Sequence, residues 1–366
     1  MKVTEIATDL CRLRREVPIR NGKYTYAEEG HIIVRVRTDQ GVEGMGFTHA
    51  QPGADLAVYE AARSLAELAQ GLDLFAVERL WERMFQPKLF GRRGLSVRAM
   101  SAIDIAFWDA IGKGVGAPLH RLLGGFRERV PAYLAGGYYT EGKDFDALAG
   151  EMQEKVASGA RFVKMKVGGA SLREDVERVR IAREAVGNEI GLMLDANNAY
   201  SVIEAIQFAR RVEPYEPTWF EEPIHAENYA GLAQIKAATR IPIAVGENEY
   251  TRYGFRDLIQ CGGADILQAD ANIVGGITEW RHVASMASAH GIPMAPHGSA
   301  MLHVHLVAAV SNGMIVEHVT SEGRTEELFG HHLALDPDGM LSPPEAPGHG
   351  IVLDEEILAR NRVRPA

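Results

Sequence analysis

Two lysines lie two positions apart in a short apolar stretch, where Lys164 and Lys166 alternate with Val163, Met165 and Val167. Alternate residues of a strand face the same way, so both amines would point to one side. Repulsion and partial burial disfavour the charged form, and at least one lysine is therefore predicted to lose its proton more easily than a free lysine. Such an amine can act as a base. An edge strand with lysines on its solvent face fits this stretch equally well.

Three acidic residues follow, each at the end of a further short apolar segment. Asp195, Glu221 and Glu247 close three consecutive candidate strands, so their carboxylates would converge. Three carboxylates in one place cannot all stay charged without a cation. Oxygen ligands alone, with room left for water and substrate, suit Mg²⁺ better than zinc. The spacing therefore predicts a magnesium site formed by these three residues.

Later strand ends carry two more carboxylates and an imidazole. Asp270 and His297 would lie on neighbouring strands, where the carboxylate would fix the tautomer of the ring and raise its basicity. His297 would then face the lysine pair across the metal. Glu317 has two interpretations, a protonated donor to a developing oxyanion or an ion-pair partner of a buried lysine.

These residues require strands that end at a common face. From Val130 onward, short apolar segments alternate with amphipathic segments, a pattern typical of strand–helix units. The predicted strands are Val130–Ala135, Phe162–Val167, Gly191–Asp195, Trp219–Glu221, Ile243–Glu247, Ile266–Asp270, Ile292–Pro296 and Met314–Glu317. The predicted helices include Leu172–Val186, Val202–Val212, Tyr229–Thr239, Tyr253–Gln260 and Ile277–His290. Eight such units favour a closed parallel α/β barrel, whose active site lies at the C-terminal ends of the strands.

The first part of the chain has a different pattern, in which strands are followed by helices. The predicted strands are 2–18, 30–38 and 41–48, and the predicted helices are 54–70, 75–85 and 96–112. This order predicts an α+β domain over residues 1–125, followed by the barrel over residues 126–319. Residues 320–366, rich in Pro, Gly and Asp, are predicted to return to the first domain.

The composition limits the class of protein. The chain has 366 residues, of which 24% are charged, and its formal net charge of −10 offers no basic surface for nucleic acid or an anionic membrane. An anionic substrate would therefore need local cations. Only Cys11 and Cys261 are present, too few for a disulfide framework, and no segment approaches the ~20 apolar residues of a membrane span. A cytoplasmic protein is expected.

Several different short motifs are distributed along nearly the whole chain. They are Lys2-Val-Thr-Glu-Ile-Ala, Ser101-Ala-Ile-Asp-Ile-Ala-Phe-Trp-Asp, Leu122-Leu-Gly-Gly, Lys164-Met-Lys166, Asp195-Ala-Asn197, Glu221-Glu-Pro, Gly246-Glu247-Asn, Gln268-Ala-Asp270 and Pro296-His297-Gly. In combination this set resembles the enolase superfamily, in its mandelate racemase subgroup. The resemblance implies a modified (β/α)7β TIM-type barrel with an α+β capping domain. It also implies Mg²⁺ held by Asp195, Glu221 and Glu247, and a homo-oligomer, either a dimer or an octamer.

The same resemblance implies a shared chemistry, removal of the proton alpha to a carboxylate to give an enediolate. The new charge must be met electrostatically. The metal, Lys164 and Glu317 would bind the carboxylate oxygens. Lys166 and the pair His297–Asp270 would serve as base and acid on opposite faces. Asn197 would contact the substrate.

The capping loops set substrate shape in this superfamily, and here they are polar. One loop carries Lys23 and Tyr24, another carries His49, and Tyr138 follows the first barrel strand. These hydrogen-bonding groups suit a small-molecule polyol carboxylate better than an apolar ring. We therefore predict a hydro-lyase that dehydrates a sugar acid (aldonate or aldarate) to a 2-keto-3-deoxy acid, with these four residues as further substrate contacts.

Three other functions fit parts of the pattern. A racemase or epimerase would use the same two acid/base groups for 1,1-proton transfer on a 2-hydroxy acid. A metal-dependent hydrolase is suggested by His303 and His305, a His-x-His pair at strand spacing, although this pair follows the seventh strand instead of lying on the first. A binding protein without turnover is disfavoured, because all acid, base and metal positions are present. Gly168-Gly169 lacks the lysine of a P-loop, so nucleotide binding is not indicated.

Overall fold

The computed structural model describes residues 1–318, 325–330 and 333–364. The predicted boundary between the barrel and the C-terminal segment, at residues 319 and 320, lies outside the described residues. No helix within these ranges is both long and apolar enough to cross a bilayer. The cytoplasmic location stays a prediction.

The N-terminal part forms an antiparallel sheet with helices packed against it. Its strands are β1 (Val3–Arg20), β2 (Thr25–Thr38) and β3 (Glu43–Ala50), in the order β1-β2-β3. Its helices are α1 (Asp55–Ala69), α2 (Val77–Met84), α3 (Pro87–Phe90), α4 (Leu95–Val115) and α5 (Leu119–Leu122). Helix α4 approaches β3 closely because Gly46 has no side chain, and a Cβ there would lie 2.1 Å from the carbonyl oxygen of Ala102.

The second part forms a curved parallel sheet. Its strands are β4 (Val130–Gly136), β5 (Phe162–Lys166), β6 (Gly191–Asp195), β7 (Trp219–Glu221), β8 (Ile243–Val245), β9 (Ile266–Leu267) and β10 (Val316–His318). They pair in the order β10-β4-β5-β6-β7-β8-β9, and Met294 bridges the remaining gap between Leu267 and Gly313. The predicted parallel barrel with an α+β capping domain is confirmed.

Helices fill the connections between barrel strands. They are α6 (Phe145–Ala157), α7 (Leu172–Val186), α8 (Val202–Val212), the 3-10 turn Glu213–Tyr215, α9 (Tyr229–Ala238), α10 (Thr251–Gln260), α11 (Gly276–Ala289) and α12 (Ala300–Ala309). Ser171 caps α7 by accepting a hydrogen bond from the backbone N–H of Glu174. Ser201 caps α8 by accepting one from the backbone N–H of Glu204. These caps explain why both helices begin at the predicted residue.

Two local predictions are wrong. The segment predicted as the seventh strand is reduced to the bridge residue Met294. Pro293 and Pro296 flank it, and a proline has no N–H group for a strand ladder. His303 and His305 lie in α12 and not at strand spacing, so their side chains do not face the same way.

The described C-terminal residues contact both the N-terminal sheet and the barrel. Their elements are α13 (Thr325–Leu328), β11 (Met340–Leu341), which pairs with β4, and α14 (Glu355–Asn361). Val363 donates its backbone N–H to Leu10 of β1 at 2.8 Å. His349 donates from Nε2 to the carbonyl of Met45 at 2.7 Å and accepts from the backbone N–H of Ile351 at 3.0 Å. The domain boundaries at residues 125 and 319 remain proposals.

Candidate active site

Lys164 lies at the buried centre of the site, with none of its surface exposed. Its Nζ lies 2.7 Å from Glu221 Oε1, 2.9 Å from Glu317 Oε1 and 3.3 Å from the hydroxyl of Tyr133. Burial opposes the charge, but Glu221 and Glu317 hold the pKa of Lys164 well above its usual value. Lys164 is therefore a paired cation beneath the cavity described below.

Lys166, two residues later, faces that cavity. Its Nζ contacts Asp195 Oδ2 and lies 5.3 Å from the ring centre of Tyr138. Burial opposes this charge as well, but Asp195 outweighs burial and raises the pKa of Lys166. The prediction that repulsion lowers the pKa of one lysine is wrong for this arrangement, because each amine has its own carboxylate partner.

Asp195, Glu221 and Glu247 come together as predicted. Strands β6 and β7 pair with Asp195 opposite Glu221, and Glu247 follows the end of β8. One oxygen from each carboxylate lies within 4.8 Å of the other two, and all three side chains are buried. Burial and the neighbouring Asp195 raise the pKa of Glu221 to about 8, although Lys164 opposes them. The cluster holds negative charge that a divalent cation would neutralise.

Two buried oxygen atoms at this cluster have no hydrogen-bond partner within the described part of the chain. They are Glu247 Oε2 and Asn197 Oδ1. Asn197 is held beside the cluster by its amide, which donates to Glu247 Oε1 at 3.4 Å. Buried oxygen atoms without donors suit a cation or a ligand group. The donor set therefore fits Mg²⁺.

His297 and Asp270, predicted as the second acid/base group, contact each other. His297 Nδ1 lies 3.1 Å from Asp270 Oδ2, and its Nε2 lies 3.7 Å from Glu247 Oε2. Burial opposes the charge, but Glu247 and the bond to Asp270 raise the pKa of His297 to about 10. Strands β6, β7 and β8 separate β5, which carries Lys166, from β9, which precedes Asp270. The two acid/base groups thus lie on opposite sides of the carboxylate cluster.

His303 holds the loops that carry this second group. Its ring is fully buried, Nδ1 donates to the carbonyl of Gly298 at 2.6 Å, and Nε2 accepts from the N–H of Ala271 at 3.0 Å. Gly298 and Ala271 directly follow His297 and Asp270. Because both ring nitrogens bind backbone, His303 is not available as a metal ligand, and the hydrolase interpretation loses its main support.

Glu317 on β10 is an ion-pair partner and not a protonated donor. Its Oε1 binds Lys164, and its Oε2 accepts from the N–H of Gly298 at 2.9 Å. Burial favours the neutral acid, but Lys164 and His297 hold the pKa of Glu317 well below its usual value. Of the two interpretations drawn from the sequence, the geometry favours the ion pair.

A cavity of about 570 Å³ opens above these groups. Its barrel side is lined by Lys166, Asn197, Glu247, His297 and Glu317. The predicted substrate contacts Tyr24, His49 and Tyr138 also line it. Lys23 is exposed and lies over the ring of Tyr24, outside the described wall, so the geometry does not favour it as a substrate contact.

Capping residues that the motifs did not single out complete the wall. They include Arg15, Glu29, His31 and Arg98. Arg98 carries a signal that sequence inspection could use, because it is one of only four charged residues in the 21 residues of α4. Arg15 and Glu29 lie among other charged residues of β1 and β2 and carry no comparable signal.

A parallel barrel whose strand ends hold a carboxylate cluster between a lysine and a His–Asp pair defines a metal-dependent enzyme that moves protons. Residues 147–357 match the enolase C-terminal domain-like family, and residues 4–124 match the mandelate racemase / muconate lactonizing enzyme N-terminal domain. The chain belongs to the enolase superfamily, in its mandelate racemase subgroup.

Named relatives match most or all of the chain. Arabinonate dehydratase of Saccharolobus solfataricus is 33% identical over 89% of this chain and 89% of its own. A 3,6-anhydro-alpha-L-galactonate cycloisomerase of Streptomyces coelicolor is 34% identical over 98% of this chain and 99% of its own. The crystal structure of L-talarate dehydratase from Polaromonas sp. JS666, complexed with Mg and L-glucarate, has a TM-score of 0.92 at 30% identity, covering 100% of this chain and 98% of that one. The predicted enzyme class, a lyase of this superfamily, and the predicted cofactor Mg²⁺ are confirmed.

Proposed function

We propose that the chain is a Mg²⁺-dependent dehydratase of a sugar acid, an aldonate or an aldarate, which it converts to a 2-keto-3-deoxy acid. The observation that carries the proposal is the position of Lys166 and the His297–Asp270 pair on opposite sides of the carboxylate cluster. Both groups face a cavity whose capping wall offers many hydrogen-bonding side chains. The dehydratase names of two relatives support this choice of substrate class.

Positive charge near the substrate carboxylate would come from two sources, the metal and Lys164. Asp195, Glu221 and Glu247 would hold the metal. When bound, Mg²⁺ supplies positive charge to the substrate carboxylate and takes up negative charge that otherwise keeps the proton on Lys166. Lys164, fixed between Glu221 and Glu317, adds a permanent positive charge beneath the same position.

Two side chains would move the protons. For a substrate whose α-hydrogen faces the lysine, neutral Lys166 takes that proton, and the C–H electron pair moves toward the carboxylate to give an enediolate. Return of these electrons forms the new carbon–carbon double bond as the β C–O bond breaks. Protonated His297 donates to the departing hydroxyl, so that water leaves and the resulting enol tautomerises to the 2-keto acid. Asp270 keeps Nε2 of the ring directed to the cavity. The stereochemistry of the substrate decides whether Lys166 or His297 removes the α-proton.

The test is a screen of aldonates and aldarates with the purified enzyme and Mg²⁺, in which semicarbazide detects 2-keto acids. The proposal predicts a ketone from at least one acid sugar and its loss in Lys166→Ala. Deuterium exchange at the α-carbon without any ketone would instead assign a racemase or epimerase. Tight zinc binding without a Mg²⁺ requirement would indicate a hydrolase.

Ring opening of a cyclic sugar acid is a second candidate, favoured by the similarity to a cycloisomerase over nearly the whole chain. The α-proton is removed and the β C–O bond breaks as before. The leaving oxygen stays attached through the ring, so no water is lost. Mass spectrometry separates the two outcomes, because a dehydration product is lighter by one water and a ring-opened product is an isomer of its substrate.

A homo-oligomer, a dimer or an octamer, is part of the proposal. Light scattering of the purified protein measures the subunit number directly. A monomer at micromolar concentration would contradict this part without affecting the proposed reaction.

A further inference from the structure

One charged residue of the cavity wall has no role in the chemistry proposed above. Arg98 lies near the start of α4, and its half-buried guanidinium lines the cavity. Its Nη1 donates to the carbonyl of His49 at 3.0 Å, and its Nε donates to the hydroxyl of Tyr250 at 3.1 Å. Its Nη2 makes no hydrogen bond to the described residues.

The other lysine and arginine of the described wall both have carboxylate partners. Lys166 contacts Asp195, and Arg15 lies 3.8 Å from Glu29. The partners of Arg98 are a carbonyl and a phenol, both neutral, and it forms no ion pair within the described part of the chain. A guanidinium held partly out of water without an opposite charge is unfavourable, and an anionic ligand group would relieve this.

Arg98 reaches the space above the reaction groups from the capping side. Tyr250, which it binds, follows the metal ligand Glu247 on the same loop. Arg98 binds the carbonyl of His49, and both residues line the same cavity as His297. Arg98 therefore lies between the loop after β8 and the His297 side of the cavity.

We infer that Arg98 binds a second carboxylate, at the end of the substrate remote from the reacting carbon, and that the substrate is an aldarate. The inference rests on the proposed function and makes its substrate class more specific. A guanidinium is suited to a carboxylate, because its N–H groups are fixed in one plane and its charge is permanent. A chain with a net charge of −10 needs local cations to hold a dianion.

The experiment compares matched acids, galactarate with galactonate and glucarate with gluconate, on the wild type and on Arg98→Gln. Glutamine keeps an N–H donor for the carbonyl of His49 but removes the charge. The wild type should prefer the aldarate. Arg98→Gln should lower kcat/KM for the aldarate by about 10- to 100-fold, mainly through KM, and for the aldonate by less than about threefold.

A binding measurement separates affinity from turnover. Calorimetric titration of the inactive Lys166→Ala protein with galactarate or glucarate, in the presence of Mg²⁺, should show the same 10- to 100-fold weakening when Arg98→Gln is added. Arg93→Gln is the matched control, because Arg93 pairs with Glu227 at 2.7 Å outside the cavity wall and should leave the aldarate preference unchanged. Arg98→Lys keeps the charge and should retain part of the preference.

Two results would overturn the role of Arg98 while leaving the dehydratase proposal intact. One is an equal loss for aldarate and aldonate in Arg98→Gln. The other is a wild-type preference for the aldonate. If no acid sugar gives a ketone, the proposed function fails, and the titrations with galactarate and glucarate still decide whether Arg98 binds a second carboxylate. Thermal unfolding of each variant checks that the fold is retained.

Discussion

Trp219 donates its indole N–H to Oε2 of Glu221, two residues further along β7, at 2.9 Å. Lys164 binds the other oxygen of the same carboxylate at 2.7 Å. Tyr133 packs edge-on against the indole, with ring centres 5.3 Å apart, and so fixes its orientation. The central residue of the metal site is therefore oriented from inside the barrel by two donors.

Replacing Trp219 with Phe keeps an aromatic ring against Tyr133 but removes one donor to Glu221. We expect the affinity for Mg²⁺ to fall by about 10-fold, as is usual when a group that orients a metal ligand is lost. Calorimetric titration measures the change, and circular dichroism verifies the fold. An unchanged Kd would mean that Lys164 alone orients the carboxylate.

Removing the negative charge of Glu221 should weaken Mg²⁺ binding more than the loss of the Trp219 donor does. In Glu221→Gln, the site loses one of its three carboxylates, and the Mg²⁺ concentration needed for half-maximal activity should rise by more than about 10-fold. Glu184→Gln on the exposed face of α7 is the control. Wild-type metal dependence in Glu221→Gln would remove Glu221 from the ligand set.

Lys166→Ala and His297→Asn should each remove proton exchange from one face of the α-carbon, because the two groups lie on opposite sides of the carboxylate cluster. Each should lower turnover by at least about 100-fold, the usual contribution of a general acid or base. Binding of Mg²⁺ should remain nearly intact. Proton NMR of substrate in D2O follows the exchange, and wild-type turnover in both variants would refute the assignment.

His303→Ala tests whether the backbone contacts of this ring position Asp270 and His297. Both loops lose an anchor, so exchange on the His297 face should slow by about 10-fold while exchange on the Lys166 face and Mg²⁺ affinity stay within about threefold. His305→Ala is the matched control on the same helix, because His305 binds the carbonyl of His349 away from the cavity. Equal slowing on both faces would indicate general loss of structure.

His349, a buried neutral histidine, should contribute to the pH dependence of stability. Burial outweighs the nearby Asp109 and lowers the pKa of His349, whose ring donates to one backbone group and accepts from another. Below the unfolded value of about 6.5, the unfolded chain takes up a proton that the folded chain does not, so each such residue lowers stability by up to about 1.4 kcal/mol per pH unit. Taken alone, this contribution lowers the thermal midpoint as the pH falls from about 6.5 to about 5, whereas the raised pKa of Glu221 acts in the opposite direction.

His349→Gln should lower the thermal midpoint relative to the wild type at all pH values, but by less at about pH 5 than at about pH 7, because the destabilising protonation of His349 is gone. Differential scanning calorimetry at several pH values in this range measures both effects. A slope equal to that of the wild type would show that His349 titrates normally in the folded protein.

The reaction groups were predictable because each lies on a barrel strand or within a few residues after one, at intervals that match one strand–helix unit. Asp195, Glu221 and Glu247 follow short apolar segments, and parallel pairing brings such ends to one face whatever the details of packing. Helices α7 and α8 were predicted to the residue because their serine caps are local signals.

Charge states and the capping wall were not predictable in the same way. The repulsion expected between Lys164 and Lys166 assumed that each amine's nearest charge was the other amine, whereas Glu317, far along the chain, reaches Lys164 in the folded barrel. Arg98 enters the cavity because α4 packs on β3, a contact that no local pattern records. The single bridge at Met294 likewise depends on neighbouring segments for its pairing.

The cavity has two walls of separate origin, one from barrel strand ends and one from the capping sheet and α4. We expect substitutions at Tyr24, His49 or Arg98 to alter which substrates the cavity accepts without moving the strand that holds Lys166. Substrate selection and proton transfer are therefore expected to be separable by mutation, the first on the capping side of the cavity and the second on the barrel side.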